Sequence, residues 1–138
     1  MAVHGGLLRL STPGDGAIVD LTEGVRSVVR RSDVQTGVAV VFAVGSTVAV
    51  TTMEYEPGGV ADLQALLDRL IPPGAEYEHN VRHNDTNAHA HLRASLVGPS
   101  ESVPVVGGEL GLGTWQQVVL IDFDDRPRDR VVSVQVVS

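Results

Sequence analysis

Apolar positions recur with two different periods along this chain, and the changes between them outline its elements. Leu7 to Ser11 and Ala17 to Leu21 are short strand-like runs. Between them Pro13-Gly-Asp-Gly16 concentrates turn residues, so the pair predicts a hairpin, with Met1 to Gly6 as a leader into it. Val25, Val28 and Val29 then fall at helical spacing. Thr22 can cap this segment, Glu23 lies in its first turn, and Arg30 and Arg31 close it, each charge on the end the helix dipole favours. A helix is expected over Glu23–Arg31.

Gly37 to Val44 is almost wholly apolar, the pattern of a strand covered on both faces. Gly45-Ser46 breaks it, and Thr47 to Met53 makes another strand. Val60, Leu63, Leu66, Leu67 and Leu70 form a stripe of 3.6-residue period that Pro72-Pro73-Gly74 ends, a second helix. Ala88 to Val97 reads as a third, stopped at Gly98-Pro99. Val103–Val106 and Leu110–Leu112 flank Gly107-Gly108 as a hairpin. Trp115 to Phe123 and Arg130 to Val137 are the last strands, joined by the charged and, by expectation, solvated loop Asp124–Asp129. The prediction is a single α+β domain over residues 1–138, richer in strand than in helix.

Composition sharpens this picture. Of 138 residues 43% are hydrophobic and only 4% aromatic, so the core must be built mainly from Val, Leu and Ala. A chain this long can bury roughly two thirds of its unfolded surface. Valine favours strands because its branched Cβ suits a pleated surface. The net charge of -7 offers no basic face for a phosphate backbone, which argues against nucleic acid. No cysteine is present, excluding disulfides and thiolate ligands. No apolar run approaches the roughly 20 residues of a membrane helix, and no charged-then-apolar leader opens the chain, so a cytoplasmic protein is the default expectation.

Candidate chemistry gathers in one stretch. Four of the five histidines lie between positions 79 and 91, in Tyr77-Glu-His-Asn-Val-Arg-His-Asn-Asp-Thr-Asn-Ala-His-Ala-His91. Imidazole binds metals and moves protons near neutral pH. Two neutral imidazoles joined by a carboxylate or a third histidine can hold zinc with an open position. On a helix starting near Ala88, His89 and His91 point roughly 200° apart, and His91 is expected to face inward and His89 outward. His83 and Asp85 are nearby candidates for a further ligand. Trp115 is expected to be partly a core residue, its N–H free to donate.

Gly108-x-Leu-x-Leu-Gly-Thr-Trp-Gln116, Tyr77-x-His79-Asn80, Asn87-x-x-Ala90-His91, Ser95-Leu-x-Gly98 and Val103-Pro-Val105 together resemble the YjbQ-like family, whose members are described as secondary thiamine-phosphate synthases. The resemblance extends over nearly the whole chain. It implies a curved, mostly antiparallel sheet wrapped around a helix, and a homotrimer with sites near the subunit contacts. It also implies a metal site at His79 and His91, holding zinc or magnesium, and catalytic roles for Glu54 and His91. Asn87, Thr114, Trp115 and Gln116 are implied in binding a phosphorylated small-molecule substrate. Where the family carries a histidine ahead of the Thr47 strand, this chain has Gly45, so a third imidazole is missing. The fold is expected to accept Gly45→His, and the native chain to form thiamine phosphate more slowly than a relative with that histidine. Two classes of function follow: an enzyme of the thiamine-phosphate synthase type, or a non-catalytic trimer that binds a metal or small metabolite.

Overall fold

Alternate valines of the strands face two separate cores, one on either side of a small central sheet. The computed structural model describes residues 1–138. In chain order it contains β1 (Val3–Thr12), β2 (Ala17–Asp20), α1 (Thr22–Ser32), β3 (Thr36–Val44), β4 (Val48–Met53) and α2 (Pro57–Leu70). Then come α3 (Glu78–His83), α4 (Ala88–Val97), β5 (Ser100–Val106), β6 (Glu109–Leu110), β7 (Gln117–Asp122) and β8 (Arg128–Val137). A five-stranded sheet has the order β1-β8-β3-β5-β6 and a three-stranded sheet the order β2-β7-β4. All pairings are antiparallel.

Both sheets curve around α1. Val25, Val28 and Val29 of that helix share one core with Val41, Val132 and Val134 of the large sheet and Val50, Val118 and Leu120 of the small one. The opposite face of the small sheet carries Ala49, Val119 and Ile121, which pack with Phe123 against Leu67 of α2 and Ala90 and Ala94 of α4. Alanines at 90 and 94 let α4 lie close to β4. The α+β class and the sheet wrapped around a helix are therefore as expected.

Several local expectations are corrected. β1 and β2 do not form a hairpin: β1 runs ten residues along β8, from Val3↔Val137 to Thr12↔Arg128, and β2 pairs with β7. The turn between them is pinned to another loop, Asp15 N–H donating to Asp124 O at 2.6 Å. Gly14, at φ 75, leaves no room for a Cβ beside the Asp124 and Arg126 carbonyls, and this contact carries the chain across to the second sheet. Thr22 is the first helical residue of α1 and does not cap it; its hydroxyl accepts from Val118 N–H at 3.0 Å, tying the helix to β7. The strand covered on both faces is β7, whereas β3 buries only Ala39, Val41 and Ala43. Val38, Phe42 and Val44 of β3 stand exposed on the outer face of the large sheet.

Two further differences concern the helices. The stripe on α2 buries only Leu67 fully, and Leu66 and Leu70 are exposed. Glu56 caps this helix through the N–H groups of Gly58 and Gly59, with Pro57 in the first turn, the position where its missing N–H costs nothing. The histidine segment contains a short helix, α3, that no apolar period announced.

Candidate functional site

Helix α4 delivers two histidines to opposite fates. His89 is buried, and His91 lines an open cleft beside Gly45 and Ser46. This reverses the expected orientation. Ala90, Arg93, Ala94 and Val97 mark the packed side of the helix, while Leu92 and Leu96, the residues that look most like core, are exposed. Arg93 is buried because its guanidinium ties α4 to α2, donating to Ile71 O at 2.8 Å and Asp68 Oδ1 at 2.9 Å. Burial and the Arg93 charge push the His89 imidazole below the ordinary histidine pKa. Its Nδ1 is buried without a hydrogen-bond partner.

His79 stands at the centre of the remaining imidazoles, 4.7 Å centroid to centroid from His91 and 5.1 Å from His83. Its Nε2 lies 3.1 Å from Asn87 Oδ1 and 3.6 Å from Asp85 Oδ2. Asn87 in turn donates from Nδ2 to Asp124 Oδ1 at 3.4 Å. With Asn87 Oδ1 beside it, Nε2 of His79 takes the donor role, which leaves Nδ1 as the ring nitrogen with a lone pair. No three His, Asp or Glu side chains of the chain converge as a metal-holding group. The residues of this chain thus do not fit a closed zinc site. Asp85, whose carboxyl is held below the usual range by the Thr86 N–H with help from the His79 and Arg126 charges, turns toward His79 without completing such a set.

The charged loop expected to be solvated is instead anchored in the interior. Asp122 is wholly buried and takes Arg130 in a fork, Nε to Oδ2 and Nη2 to Oδ1, both at 2.7 Å, with Thr12 Oγ1 at 2.5 Å. Asp124, equally buried, accepts from Arg128 Nε at 2.8 Å, Asp125 N–H at 2.8 Å and Thr47 Oγ1 at 3.1 Å. Arg130 Nη2 also donates to Thr47 at 2.7 Å. Burial raises the Asp124 carboxyl, but the bonds from Arg128, Asp125, Asn87 and Thr47 outweigh it and hold the pKa at about 2. The folded value lies below the unfolded one, so the stabilisation is complete above about pH 4 and is lost as pH falls through about 2. Asp124→Asn is expected to flatten that acid limb and cost on the order of 2 kcal/mol at neutral pH. Denaturation of both proteins at pH 7 and pH 2.5 measures it, and an equal acid loss in the variant would refute the assignment.

Above this network opens a cleft of about 420 Å³ with no apolar lining. Thr47, Asn87, His91, Arg128 and Arg130 form its walls, and Gly45 lies at its rim. Position 45 thus faces His91, where the resemblance leads one to expect a third histidine. The space is taken, however. Gly45 has φ 150, and a Cβ there would lie 2.8 Å from Arg130 Nη1 and 3.0 Å from Val48 Cγ1. In the sequence the two arginines stand in or beside a charged loop with Asp124, Asp125 and Asp129, which suggests solvation. Strand alternation puts Arg128 and Arg130 on the same face of β8, which is the signal that could have found them, although Asp129 also reaches the cleft.

The other candidates are elsewhere. β4 separates Thr47 from Glu54, and six strand residues span about 20 Å. Glu54 is exposed at the far end of β4 and makes no ion pair. Gln116 is committed locally, Nε2 donating to Thr52 Oγ1 at 3.0 Å and Oε1 accepting from Gly113 N–H at 3.1 Å. Thr114 is exposed beside it, and Trp115, 72% exposed, is no part of the core. The chain therefore brings His79, Asn87 and His91 together and leaves Glu54, Thr114, Trp115 and Gln116 in a second group.

A curved antiparallel sheet around a helix, with a polar cleft at the β4–α4 end, defines an α+β class of small single-domain proteins. Solved structures of that class superpose on almost the whole chain. A protein from Aeropyrum pernix K1 gives a TM-score of 0.90 at 33% identity, over 97% of this chain and 98% of its own. A YjbQ/UPF0047-family protein from Clostridium acetobutylicum gives 0.87 at 36% identity, over 95% and 98%. Residues 7–138 match the family described as UPF0047 protein YjbQ-like, and the chain belongs to it. The UPF0047 protein of Methanothermobacter thermautotrophicus is 37% identical over 99% of this chain and 93% of its own length. No helix is long and apolar enough to cross a membrane.

Proposed function

We propose that this protein receives a phosphorylated small metabolite in the His91 cleft and, assembled as a homotrimer, carries out transfer of the thiamine-phosphate synthase type. One observation supports it above the others: a cleft without hydrophobic residues, in which His91, Asn87 and two arginines meet beside Asp124 and Asp129. Joining a pyrimidine diphosphate to a thiazole phosphate expels pyrophosphate, and preorganised cationic donors stabilise that departing charge. His91 is the nearest group able to move a proton, and Asn87 orients the neighbouring His79.

Assembly enters because the two groups of candidate residues lie apart in one chain. The outer face of the large sheet aligns Val3, Leu7, Val38, Phe42 and Val44, an apolar surface broader than isolated exposed residues. Burying it against further copies would let the Glu54 and Trp115 end of one subunit approach the His91 cleft of another. Sedimentation is expected to give a trimer mass, and a monomer at micromolar concentration would count against this. Activity with the two phosphorylated precursors should be lost in Glu54→Gln and in His91→Ala. It should return in part on mixing the two variants through unfolding and refolding; absence of turnover in the native chain refutes the transferase.

The second reading, a non-catalytic trimer that binds a metabolite or a divalent metal, zinc or magnesium, is favoured by Gly45 and by the distance to Glu54. A metal would then need ligands from more than one subunit. Binding of a precursor without turnover distinguishes it.

A further inference from the structure

Gly45 and Arg130 share one small volume. The glycine has no side chain and φ 150, and the guanidinium fills the place where a Cβ would begin, its Nη1 being 2.8 Å from it. Arg130 is 8% exposed and is held by four polar partners on its other side, counting the two oxygens of Asp122, Thr47 and, more distantly, Asp124 at 4.0 Å. Its Nε and Nη2 are used in these bonds, while Nη1 has no hydrogen-bond partner and faces the cleft. Arg128 repeats the arrangement: Nε donates to Asp124, and both terminal nitrogens are free in a side chain 41% exposed. A guanidinium fixed by one edge on a buried carboxylate keeps its remaining N–H groups in a set direction, and such planar forks match phosphate oxygens.

We propose that Arg130 Nη1 and the terminal nitrogens of Arg128, exposed to the cleft by the absence of a side chain at Gly45, form an anion subsite for a phosphate or diphosphate group. The cleft then binds its ligand through cationic donors of the protein itself. The subsite rests on the reading that a phosphorylated metabolite occupies the cleft, and supplies the recognition that reading lacks.

Charge balance is the objection to weigh. Asp122 does not line the cleft, and both of its oxygens are saturated by Thr12, Arg130 and the Asp124 N–H. Asp124 lines it, yet its oxygens accept from Asn87, Asp125, Arg128 and Thr47. Asp129 is the unneutralised one, exposed at the rim and bonded only to Ser11 Oγ at 2.5 Å. It opposes an anion, so its removal has a predicted sign.

The experiment titrates inorganic pyrophosphate into the full-length protein by calorimetry, with thermal melting to confirm that each variant is folded. Arg128→Gln should weaken binding about tenfold or more, the worth of a hydrogen bond to a charged group. Asp129→Asn should tighten it by a few-fold, as loss of a like charge at the rim requires. Gly45→Ala should weaken it by displacing Nη1, with thermal melting showing whether the Arg130–Asp122 fork is kept. The proposal is overturned if native protein does not bind pyrophosphate, or if Arg128→Gln and Asp129→Asn both leave affinity unchanged. If the variants behave as expected but neither phosphorylated precursor binds, the anion subsite stands and the proposed function falls. If precursors bind with affinities indifferent to Arg128 and Asp129, the proposed function stands and the subsite falls.

Discussion

Replacing Asp122 with alanine is expected to lower folding stability by about 3–5 kcal/mol, the usual cost of leaving a buried charge without its partner. Asp122 is completely buried, Arg130 nearly so, and the two make a two-bond fork with both distances at 2.7 Å. The same carboxylate receives Thr12 from β1 and the Asp124 N–H, so its loss also frees the end of the β1–β8 pairing. Equilibrium denaturation in urea measures the change. Asp122→Asn retains the shape and some hydrogen bonds and should cost less than alanine. A loss under about 1 kcal/mol for alanine would mean that Arg130 finds water or another carboxylate, and that the network is not needed for the fold.

Gly45→His is the second large effect. A backbone at φ 150 disfavours any side chain, a strain of about 1–3 kcal/mol, and the new Cβ would lie 2.8 Å from Arg130 Nη1 and 3.0 Å from Val48 Cγ1. Either the backbone moves or Arg130 leaves part of its fork with Asp122. A loss of roughly 2–4 kcal/mol follows from the two together. The fold, expected to accept the histidine, would then do so at reduced stability. Denaturation together with zinc analysis of the purified variant checks it. Native-like stability accompanied by bound zinc would show that Arg130 yields easily and that a metal site is only one substitution away.

Much of the chain was legible because local pattern and tertiary packing agree there. Valine at helical spacing gave α1, the leucine stripe gave α2, Gly107-Gly108 gave the β5–β6 hairpin, and the Gly108–Gln116 motif placed the chain in its family. Periodicity reports which face of an element is apolar; α1 buries that face, and α2 turns Leu67 of its stripe inward while Leu66 and Leu70 stay exposed. It fails where a different force decides orientation. On α4 small alanines and a buried Arg93 make the packed side, so His89 turns in, His91 turns out and two leucines remain exposed. On β3 the apolar run implied two covered faces, but the outer face stays open because no helix packs on it.

Composition, the helices and strands, and the concentration of histidines were properties of the sequence alone, since each depends on residues close together in the chain. Which strands pair, and where Gly45, His91 and Arg130 meet, was decided only by tertiary structure. Thr12, Thr47, Asp122 and Arg130 come from three distant segments, and their attraction is negligible in the solvated, unfolded chain. It becomes large only when the sheets close over them, remove water, and leave each charge with no partner other than the one the fold brings to it.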